Sequence, residues 1–341
     1  MPNSPDNSPM ASNSTSTADS NSEVLTNLTA SELARRIAAQ EVTSREVVEA
    51  HIRRIERVNP QLNAVCVPRF DEARREAAAA DERVAAGEPL GALHGVPITV
   101  KECFHLTGTA ASIGVQRFTE EIHTRDALMV ARLRAAGAVV LGKTNIPQLM
   151  VMHETDNPVF GRTNNPWDLS RGPGGSSGGE AAIIAAHGSP LGLGNDLGGS
   201  IRVPAHFCGI HGIKPTTGRL SNDGTRAGWN GMEAIGNQPG PLARSVEDLE
   251  LAMKILAAPG QDEFDHVVPP VAWRDPGEVQ VEQLRIGFWK DDGFCAESPA
   301  LRRAVDESVA GLSSQGVEVV EFTPPDIREA MRQYFAIVSA D

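Results

Sequence analysis

The sequence predicts an α/β protein in which a mixed, mostly parallel central sheet is flanked by helices. Strands and helices alternate along the chain with short connections, and this order favours such a sheet. The apolar run Leu93–Val100 is predicted as a strand, a helix follows from Thr124 to Ala136, and Ala138–Leu141 forms the next buried strand. The same order returns later, with a strand at Arg285–Trp289, a helix from Ser298 to about Ser314 and a strand at Val317–Phe322.

Other helices are predicted from their capping residues and apolar faces. Thr29-Ala30-Ser31-Glu32 and Thr43-Ser44-Arg45-Glu46 have the form of capping boxes, which mark helix starts. The first helix is expected to reach about Ala39, and the second is expected to end at Pro60. Further helices are expected at Asp71–Ala86, at Glu180–His187, from Ser245 to about Ala257 and after Pro324-Pro325-Asp326.

Composition places the chain among ordinary soluble enzymes. It has 341 residues, enough to bury a sizeable core, and its 44 acidic against 31 basic side chains argue against a nucleic-acid surface. The four cysteines show no C-x-x-C spacing, which disfavours a metal site or a disulfide framework and suits the reducing cytoplasm. No apolar run approaches the ~18 residues that span a bilayer, so no membrane span is expected.

Two segments are expected along the chain. Residues 1–22 are rich in Ser, Asn, Asp and Pro, lack the basic and apolar regions of a signal peptide, and are predicted to form a disordered tail. Residues 23–341 are predicted to form one catalytic domain. The last predicted helix is barely finished where the sequence stops at Asp341.

The stretch Arg171–Arg219 holds two serine sites framed by glycines. Gly174–Gly179 reads GGSSGG, which is too rich in glycine for a helix or a strand. Asn195–Ser200 reads NDLGGS, and the glycines before Ser200 leave the backbone free to turn several N–H groups toward one point. Convergent N–H groups of this kind form an oxyanion hole, so this stretch predicts nucleophilic chemistry at a serine.

Other glycine-rich patterns fit this stretch less well. A phosphate-binding loop needs Lys-Ser or Lys-Thr directly after its last glycine, and neither site has it. Gly192-Leu193-Gly194 suggests a dinucleotide fingerprint, but the next glycine comes one residue late and Pro204 is expected to interrupt the following helix. Gly174–Gly178 formally matches the G-x-S-x-G nucleophile elbow, although Ser170–Pro173 is a poor strand to precede it.

A serine nucleophile without histidine needs another base, and a buried lysine that has lost its proton can serve. Lys101 directly follows the apolar run Val96–Val100, which predicts that it lies at the end of a buried strand. The alternative for Lys101 is an ion pair with Glu102 on a surface loop. A second lysine lies in Gly142-Lys143-Thr144-Asn145, which no glycine-rich turn precedes and which is expected to be a loop at a strand end.

Histidines near the serines offer another hypothesis for the base. His187, His206 and His211 invite a Ser-His-Asp arrangement, although most such histidines are core or loop residues. The sequence contains no H-E-x-x-H or comparable ligand spacing, so neither a metal nor another cofactor is expected. Gly212–Thr216 is predicted as a strand that leaves the core, and Lys214 on it is a candidate for a second cation near the site.

Three motifs occur in a fixed order: Gly95-Val96-Pro97 followed by Lys101, then Gly174–Glu180, then Gly198–Arg202. Together they resemble the amidase signature family of serine hydrolases, and the likeness runs from about Leu25 to the end. The resemblance implies the amidase signature fold and a Ser–Ser–Lys triad, with Ser200 as nucleophile, Ser176 as bridging serine on a cis peptide bond and Lys101 as base. It also implies an oxyanion hole formed by the N–H groups of Leu197, Gly198, Gly199 and Ser200. Asn195 stands where many members carry threonine.

The resemblance implies an amidase that acts on a small-molecule carboxylic amide. Lys101–Phe104 and Ser176–Glu180 are most similar to the fatty-acid amide hydrolase branch, which implies a hydrophobic acyl chain. The alternatives are a general or aryl amidase, the glutaminase subunit of a tRNA-dependent amidotransferase, and a truncated, non-catalytic amidase-like binding protein. Family members usually continue further, so the C-terminal part of the sheet is expected to be missing, and a homodimer stays open.

Overall fold

The structure is a computed structural model that describes residues 17–227, 235–295 and 297–338. The chain divides into two compact units, one formed by Met1–Gly228 with Asn237–Pro270 and the other by Trp229–Gly236 with Val271–Asp341. Most of the tail predicted for residues 1–22 lies outside the described residues, and the first described helix begins at Thr17. Across the described ranges, no helix is long and apolar enough to cross a membrane.

The first unit contains eight α-helices and six strands among its described residues. The helices are α1 (Thr17–Asn27), α2 (Ala30–Ala38), α3 (Ser44–Leu62), α4 (Phe70–Ala85), α5 (Leu128–Ala135), α6 (Gly178–Ala185), α7 (Arg202–Cys208) and α8 (Val246–Leu256). The strands are β1 (Val65–Pro68), β2 (Pro97–Lys101), β3 (Val139–Thr144), β4 (Leu191–Asp196), β5 (His211–Gly212) and β6 (Gln238–Ala243).

The six strands form one mixed sheet in the order β1-β3-β2-β4-β6-β5. The central strands β3, β2 and β4 are parallel to one another, whereas β1 and β6 each run antiparallel to their neighbours. Four of the six strands therefore share one direction, and the predicted mixed, mostly parallel α/β sheet is confirmed. The carboxyl ends of β2 and β4 carry Lys101 and Asp196, so the central parallel strands place the candidate site at one edge of the sheet.

The helices α2, α3 and α8 begin where their capping residues predict. Thr43 and Glu46 form a complete capping box at the start of α3, and the hydroxyls of Thr29 and Ser245 accept backbone N–H groups at the starts of α2 and α8. The short helix α6 is buried from Gly178 to Ile184, and it packs with α3 against the sheet. The core around these elements is made of aliphatic side chains, among them Ile52, Ile55, Leu141, Ile183 and Leu242.

Three helices differ from their predicted boundaries by two residues or more. α6 spans Gly178–Ala185 rather than Glu180–His187. α3 continues past Pro60 to Leu62, because the Asn59 side chain accepts the N–H groups of Ala64 and Val65 and so holds the end of the helix onto β1. α5 begins at Leu128 rather than Thr124. The residues before it are held by other contacts, since the Asp126 carboxylate accepts a hydrogen bond from the Arg134 guanidinium and two from Thr107.

Three features of the sheet differ from the prediction. The strand β3 includes Gly142, Lys143 and Thr144, for which the sequence predicts a loop, because β1 and β2 pair with them on both sides. The strand predicted at Gly212–Thr216 is limited to His211–Gly212. The strand β6 contains Pro239 and Pro241 and is not predicted by the sequence; β5 pairs only with its last two residues, so the prolines lie where one side of the strand lacks a full partner.

The second unit contains a two-stranded parallel sheet and two α-helices among its described residues. The strands β7 (Arg285–Phe288) and β8 (Glu318–Glu321) pair in parallel, and the helix α9 (Pro299–Ser314) connects them. The Ser298 hydroxyl accepts the N–H of Leu301 at the start of α9. The helix α10 (Ile327–Val338) follows. The strand, helix and strand predicted from Arg285 to Phe322 are therefore confirmed.

Candidate active site

Lys101 is the last residue of β2, and its side chain is fully buried. Its Nζ lies 2.6 Å from the Ser176 Oγ, 2.6 Å from the Asn195 Oδ1 and 3.5 Å from the Asn195 backbone oxygen. Burial lowers the pKa of Lys101 to about 8, although the negative charges of Asp196 and Glu180 favour the charged form. A substantial fraction of Lys101 is therefore neutral in mildly alkaline solution.

Glu102 takes no part in an ion pair with Lys101 among the described residues. Its carboxylate is buried and accepts the backbone N–H groups of Ser112 and Ile113. Burial raises the pKa of Glu102, and nearby Lys143 opposes that effect. Lys101 and Glu102 are thus two buried side chains with separate partners. The surface ion pair considered as the alternative for Lys101 is not observed among the described residues.

The GGSSGG loop carries Ser176 and Ser177 to the carboxyl end of β2. The peptide bond between Gly175 and Ser176 is cis, and both serine side chains are buried. The Ser177 N–H donates to the Ser200 backbone oxygen at 3.0 Å, and the Ser177 hydroxyl donates to the Asn195 backbone oxygen at 3.3 Å. These bonds bring together the two serine sites, which are separated in the sequence by the helix α6 and the strand β4.

Asp196 organises the backbone in front of Ser200. Its buried carboxylate accepts the N–H groups of Gly199, at 2.8 Å, and of Ile201, at 3.0 Å, and it forms an ion pair with Arg202. Burial raises the pKa of Asp196, but the hydrogen bonds from Arg202, Ile201 and Gly199 outweigh it and hold the pKa at about 2. Gly199 has φ of 114°, a backbone conformation that glycine adopts without strain.

The four N–H groups expected to form the oxyanion hole have two different environments. The N–H of Gly199 donates to Asp196, as described above. Within the part of the chain that the structure describes, the N–H groups of Leu197, Gly198 and Ser200 have no hydrogen-bond partner. Ser200 is 8% exposed, whereas Lys101 and Ser176 are almost completely buried, so Ser200 is the triad candidate that solvent reaches.

Glu180 is a buried acid that sequence reasoning did not single out. It lies in the first turn of α6, and its carboxylate accepts hydrogen bonds from the hydroxyls of Thr99 and Thr144. Burial raises the pKa of Glu180 to about 7. Asp196 was also missed as an organising residue; the signal for it was an acid at the end of a glycine-containing strand with an arginine six residues later.

The other glycine-rich patterns lack the neighbouring elements that their motifs need. No strand precedes Gly174–Gly178, and Gly192-Leu193-Gly194 lies inside β4. Pro204 does not interrupt α7, because it lies in the first turn, where a missing N–H breaks no helical bond. The Lys214 Nζ donates to the backbone oxygen of Pro215, so this ammonium forms a hydrogen bond with its own neighbour in the chain.

Among the described residues, the histidines proposed as bases make no hydrogen bond to Lys101, Ser176 or Ser200. His187 follows α6 with φ of 62°, His206 is in α7 and His211 is in β5. The histidine that borders the site is His153, since a Cβ on Gly199 would lie 3.6 Å from its Nε2. In the described ranges, no group of three or more His, Cys, Asp or Glu side chains is arranged to hold a metal ion.

Comparison with known proteins identifies the family. The sequence profile of the Amidase family matches residues 46–341. The chain belongs to the Amidase family. Among Amidase relatives, it is 37% identical over 313 residues to fatty-acid amide hydrolase 1 of Sus scrofa, covering 92% of this chain and 53% of the relative. It is 41% identical over 322 residues to a glutamyl-tRNA(Gln) amidotransferase subunit of Acidothermus cellulolyticus, covering 92% of this chain and 62% of the relative.

Solved structures of Amidase proteins share the fold. A fatty acid amide hydrolase structure superimposes with a TM-score of 0.89 at 34% identity, covering 94% of this chain and 57% of the other. The chain thus spans between about half and two thirds of the length of the relatives that it matches. The predicted family and fold class are confirmed.

Proposed function

We propose that the protein is an amidase that hydrolyses a carboxylic amide to an acid and an amine or ammonia through an acyl-enzyme on Ser200. The observation that carries the proposal is the 2.6 Å hydrogen bond between the Lys101 Nζ and the Ser176 Oγ, in a part of the site closed to solvent. A lysine in such surroundings is a suitable general base, because desolvation favours its neutral form. Membership of the Amidase family supports the same chemistry.

The hydrogen-bond partners of Lys101 can satisfy both its neutral and its protonated form. A neutral amine has two N–H groups and one lone pair, and a protonated amine has three N–H groups. The two Asn195 oxygens only accept hydrogen bonds, whereas the Ser176 hydroxyl either donates or accepts. Before proton transfer the Ser176 hydroxyl donates to the lone pair, and afterwards its oxygen accepts from the ammonium. No partner has to move between the two states.

The proposed reaction follows from this arrangement. Lys101 takes the proton of Ser176, Ser176 takes the proton of Ser200, and the Ser200 Oγ attacks the carbonyl carbon. Protonated Lys101 returns its proton through Ser176 to the leaving nitrogen as the C–N bond breaks, which avoids release of an amine anion. Water then attacks the ester, with Lys101 and Ser176 accepting its proton and Ser200 recovering its own.

The negative charge on the carbonyl oxygen needs donors that are free to receive it. We assign this role to the N–H groups of Leu197, Gly198 and Ser200, since that of Gly199 is held by Asp196. Removing one donor from an oxyanion hole costs ~3 to 4 kcal/mol of transition-state stabilisation in comparable enzymes. Asp196 supports the site indirectly by fixing the turn that presents these groups.

Two substrate classes follow from the relatives. The likeness to fatty-acid amide hydrolase 1 supports an apolar acyl chain as the first candidate. The likeness to the glutamyl-tRNA(Gln) amidotransferase subunit of Acidothermus cellulolyticus, with its higher identity of 41%, supports glutamine as the second. Comparing hydrolysis of a long-chain primary amide with hydrolysis of glutamine distinguishes them.

Labelling with a fluorophosphonate tests the proposed nucleophile. Peptide mapping is expected to find the adduct on Ser200, and Ser200→Ala is expected to abolish it. Ser189→Ala is the matched control, because Ser189 is a fully buried serine of the same unit that donates to the Leu191 backbone oxygen. A label on Ser176 or Ser177 that survives Ser200→Ala would support the nucleophile elbow instead. A folded protein that takes no label on any serine would support the non-catalytic binding alternative.

A further inference from the structure

Glu180 is a fully buried acid on the same side of the sheet as Lys101. Its two carboxylate oxygens accept hydrogen bonds from the hydroxyls of Thr99 and Thr144. Thr99 lies two residues before Lys101 on β2, and Thr144 is the register partner of Lys101 on β3. Alternate residues of a strand face the same side of a sheet, so the carboxylate is anchored to the face that carries Lys101.

The third central strand makes room for this carboxylate. Gly192 on β4 is the register partner of Thr99, and a Cβ at that glycine would overlap the Glu180 Oε1. Any larger residue at Gly192 would displace the acid. Glu180 therefore fits a slot across the three parallel strands from which Lys101 and Asn195 reach the candidate site.

Glu180 differs from Asp196 and Cys103, the other groups whose charge acts on Lys101, because its charge changes near neutral pH. Asp196 on β4 has a pKa of about 2 and stays ionised. Burial raises the pKa of Cys103, beside Lys101, to about 11, and it raises the pKa of Cys66 on β1. Both thiols therefore stay neutral. The pKa values of Glu180 and Lys101 are about 7 and about 8, so both groups change charge in the same pH range, and the charge of each favours the charged form of the other.

We propose that Glu180 is a positioning residue that controls the proton on Lys101. When Glu180 is ionised, its negative charge keeps a proton on the lysine. When Glu180 is protonated, that charge is gone and Lys101 is free to receive the Ser176 proton. The inference rests on the proposed role of Lys101 as the base. It adds Glu180 to the groups that determine whether Lys101 carries a proton.

NMR of protein labelled with ¹³C at the lysine Cε measures the protonation of Lys101 without any substrate. Lys101→Arg identifies the Lys101 signal by removing it. Glu180→Gln keeps the size of the side chain and removes its charge, so the Lys101 titration midpoint is expected to fall by about one pH unit, the low end of the effect of a nearby opposite charge. Thr144→Val removes a hydrogen bond that stabilises the ionised acid, and it is expected to shift the midpoint in the same direction by less.

Two controls separate this electrostatic effect from a general loss of structure. Asp248→Asn alters another fully buried acid, which accepts the N–H groups of Ala30 and Ser31, and is expected to leave the Lys101 midpoint unchanged. The signal of Lys143, the other buried lysine, is expected to stay in place in Glu180→Gln. Thr144→Val also provides a test if Glu180→Gln does not fold.

An unchanged Lys101 midpoint in a folded Glu180→Gln or Thr144→Val variant overturns the inference. Fluorophosphonate labelling of the same proteins keeps this result apart from the proposed function. Labelling of Ser200 with an unchanged midpoint contradicts the role of Glu180 and leaves the amidase proposal standing. A shifted midpoint without labelling supports the coupling between Glu180 and Lys101 and contradicts the amidase proposal.

Discussion

The Nζ of Lys101 lies 2.6 Å from the Oγ of Ser176, and the two side chains are 0% and 1% exposed. Water is therefore excluded from the point where a proton would pass between them. Burial is also the main cause of the low pKa of Lys101, which lies at about 8. Desolvation disfavours the charged form of a buried lysine, and the neutral form that it favours is the one that can act as a base.

Lys101→Arg is expected to be almost as damaging as Lys101→Ala. Arginine keeps the positive charge but remains protonated at any usable pH, so it cannot accept a proton from Ser176. Both variants should lower the rate of fluorophosphonate labelling at Ser200 by at least ~100-fold, the low end of general-base contributions. The labelling rate of the wild-type protein should rise with pH along a limb near the Lys101 pKa of about 8. An arginine variant that reacts with an unchanged pH profile would remove Lys101 from the mechanism.

Asp196→Asn is expected to loosen the loop before Ser200. The carboxylate accepts several backbone N–H groups and the Arg202 guanidinium, and an amide replaces one of its acceptor oxygens with a donor. The free energy of unfolding should fall by about 1 to 3 kcal/mol, the cost of an unsatisfied buried group, and labelling of Ser200 should slow. Urea denaturation and labelling rates measure the two effects. Asp168→Asn, at an exposed aspartate, is the control, and equal behaviour of the two variants would contradict this role.

Glu180 is expected to make stability depend on pH between about 4.5 and about 7. Its pKa is raised from 4.5 to about 7 by burial, so its stabilising contribution is complete below pH 4.5 and is lost as the pH rises toward 7. The loss should amount to roughly 3 kcal/mol, since each pKa unit corresponds to about 1.4 kcal/mol. Urea denaturation at several pH values should show this decline in the wild-type protein and a flatter profile in Glu180→Gln. Parallel profiles would mean that Glu180 has an ordinary pKa.

Activity is expected to survive replacement of each histidine and treatment with a chelator. His187, His206 and His211 make no hydrogen bond to Lys101, Ser176 or Ser200 in the described structure. Single alanine variants of these residues and of His153, which borders the Gly199 turn, should keep Ser200 labelling within about tenfold of the wild-type rate. A loss above ~100-fold on removal of one histidine, with the fold intact by circular dichroism, would favour a histidine base.

The sequence by itself determined the features that depend on neighbouring residues. Thr43, Ser245 and Ser298 mark helix starts because each side chain bonds a backbone N–H three residues later. The run before Lys101 predicts a buried strand because all but one of the residues from Val96 to Val100 are apolar. The order of the lysine and serine motifs was enough to indicate the family, which comparison then confirmed.

Only the tertiary structure decided the features that depend on distant partners. Lys143 and Thr144 belong to a strand because β1 and β2 supply hydrogen bonds on both sides, and Pro239 and Pro241 fit a strand because one of its sides is largely unpaired. Glu180 and Thr99 are 81 positions apart in the sequence and form a hydrogen bond in the fold. Burial between such distant segments raises the pKa of Glu180 to about 7. Local propensity carries no information on such contacts, because desolvation and cross-strand pairing arise only when separate segments pack together.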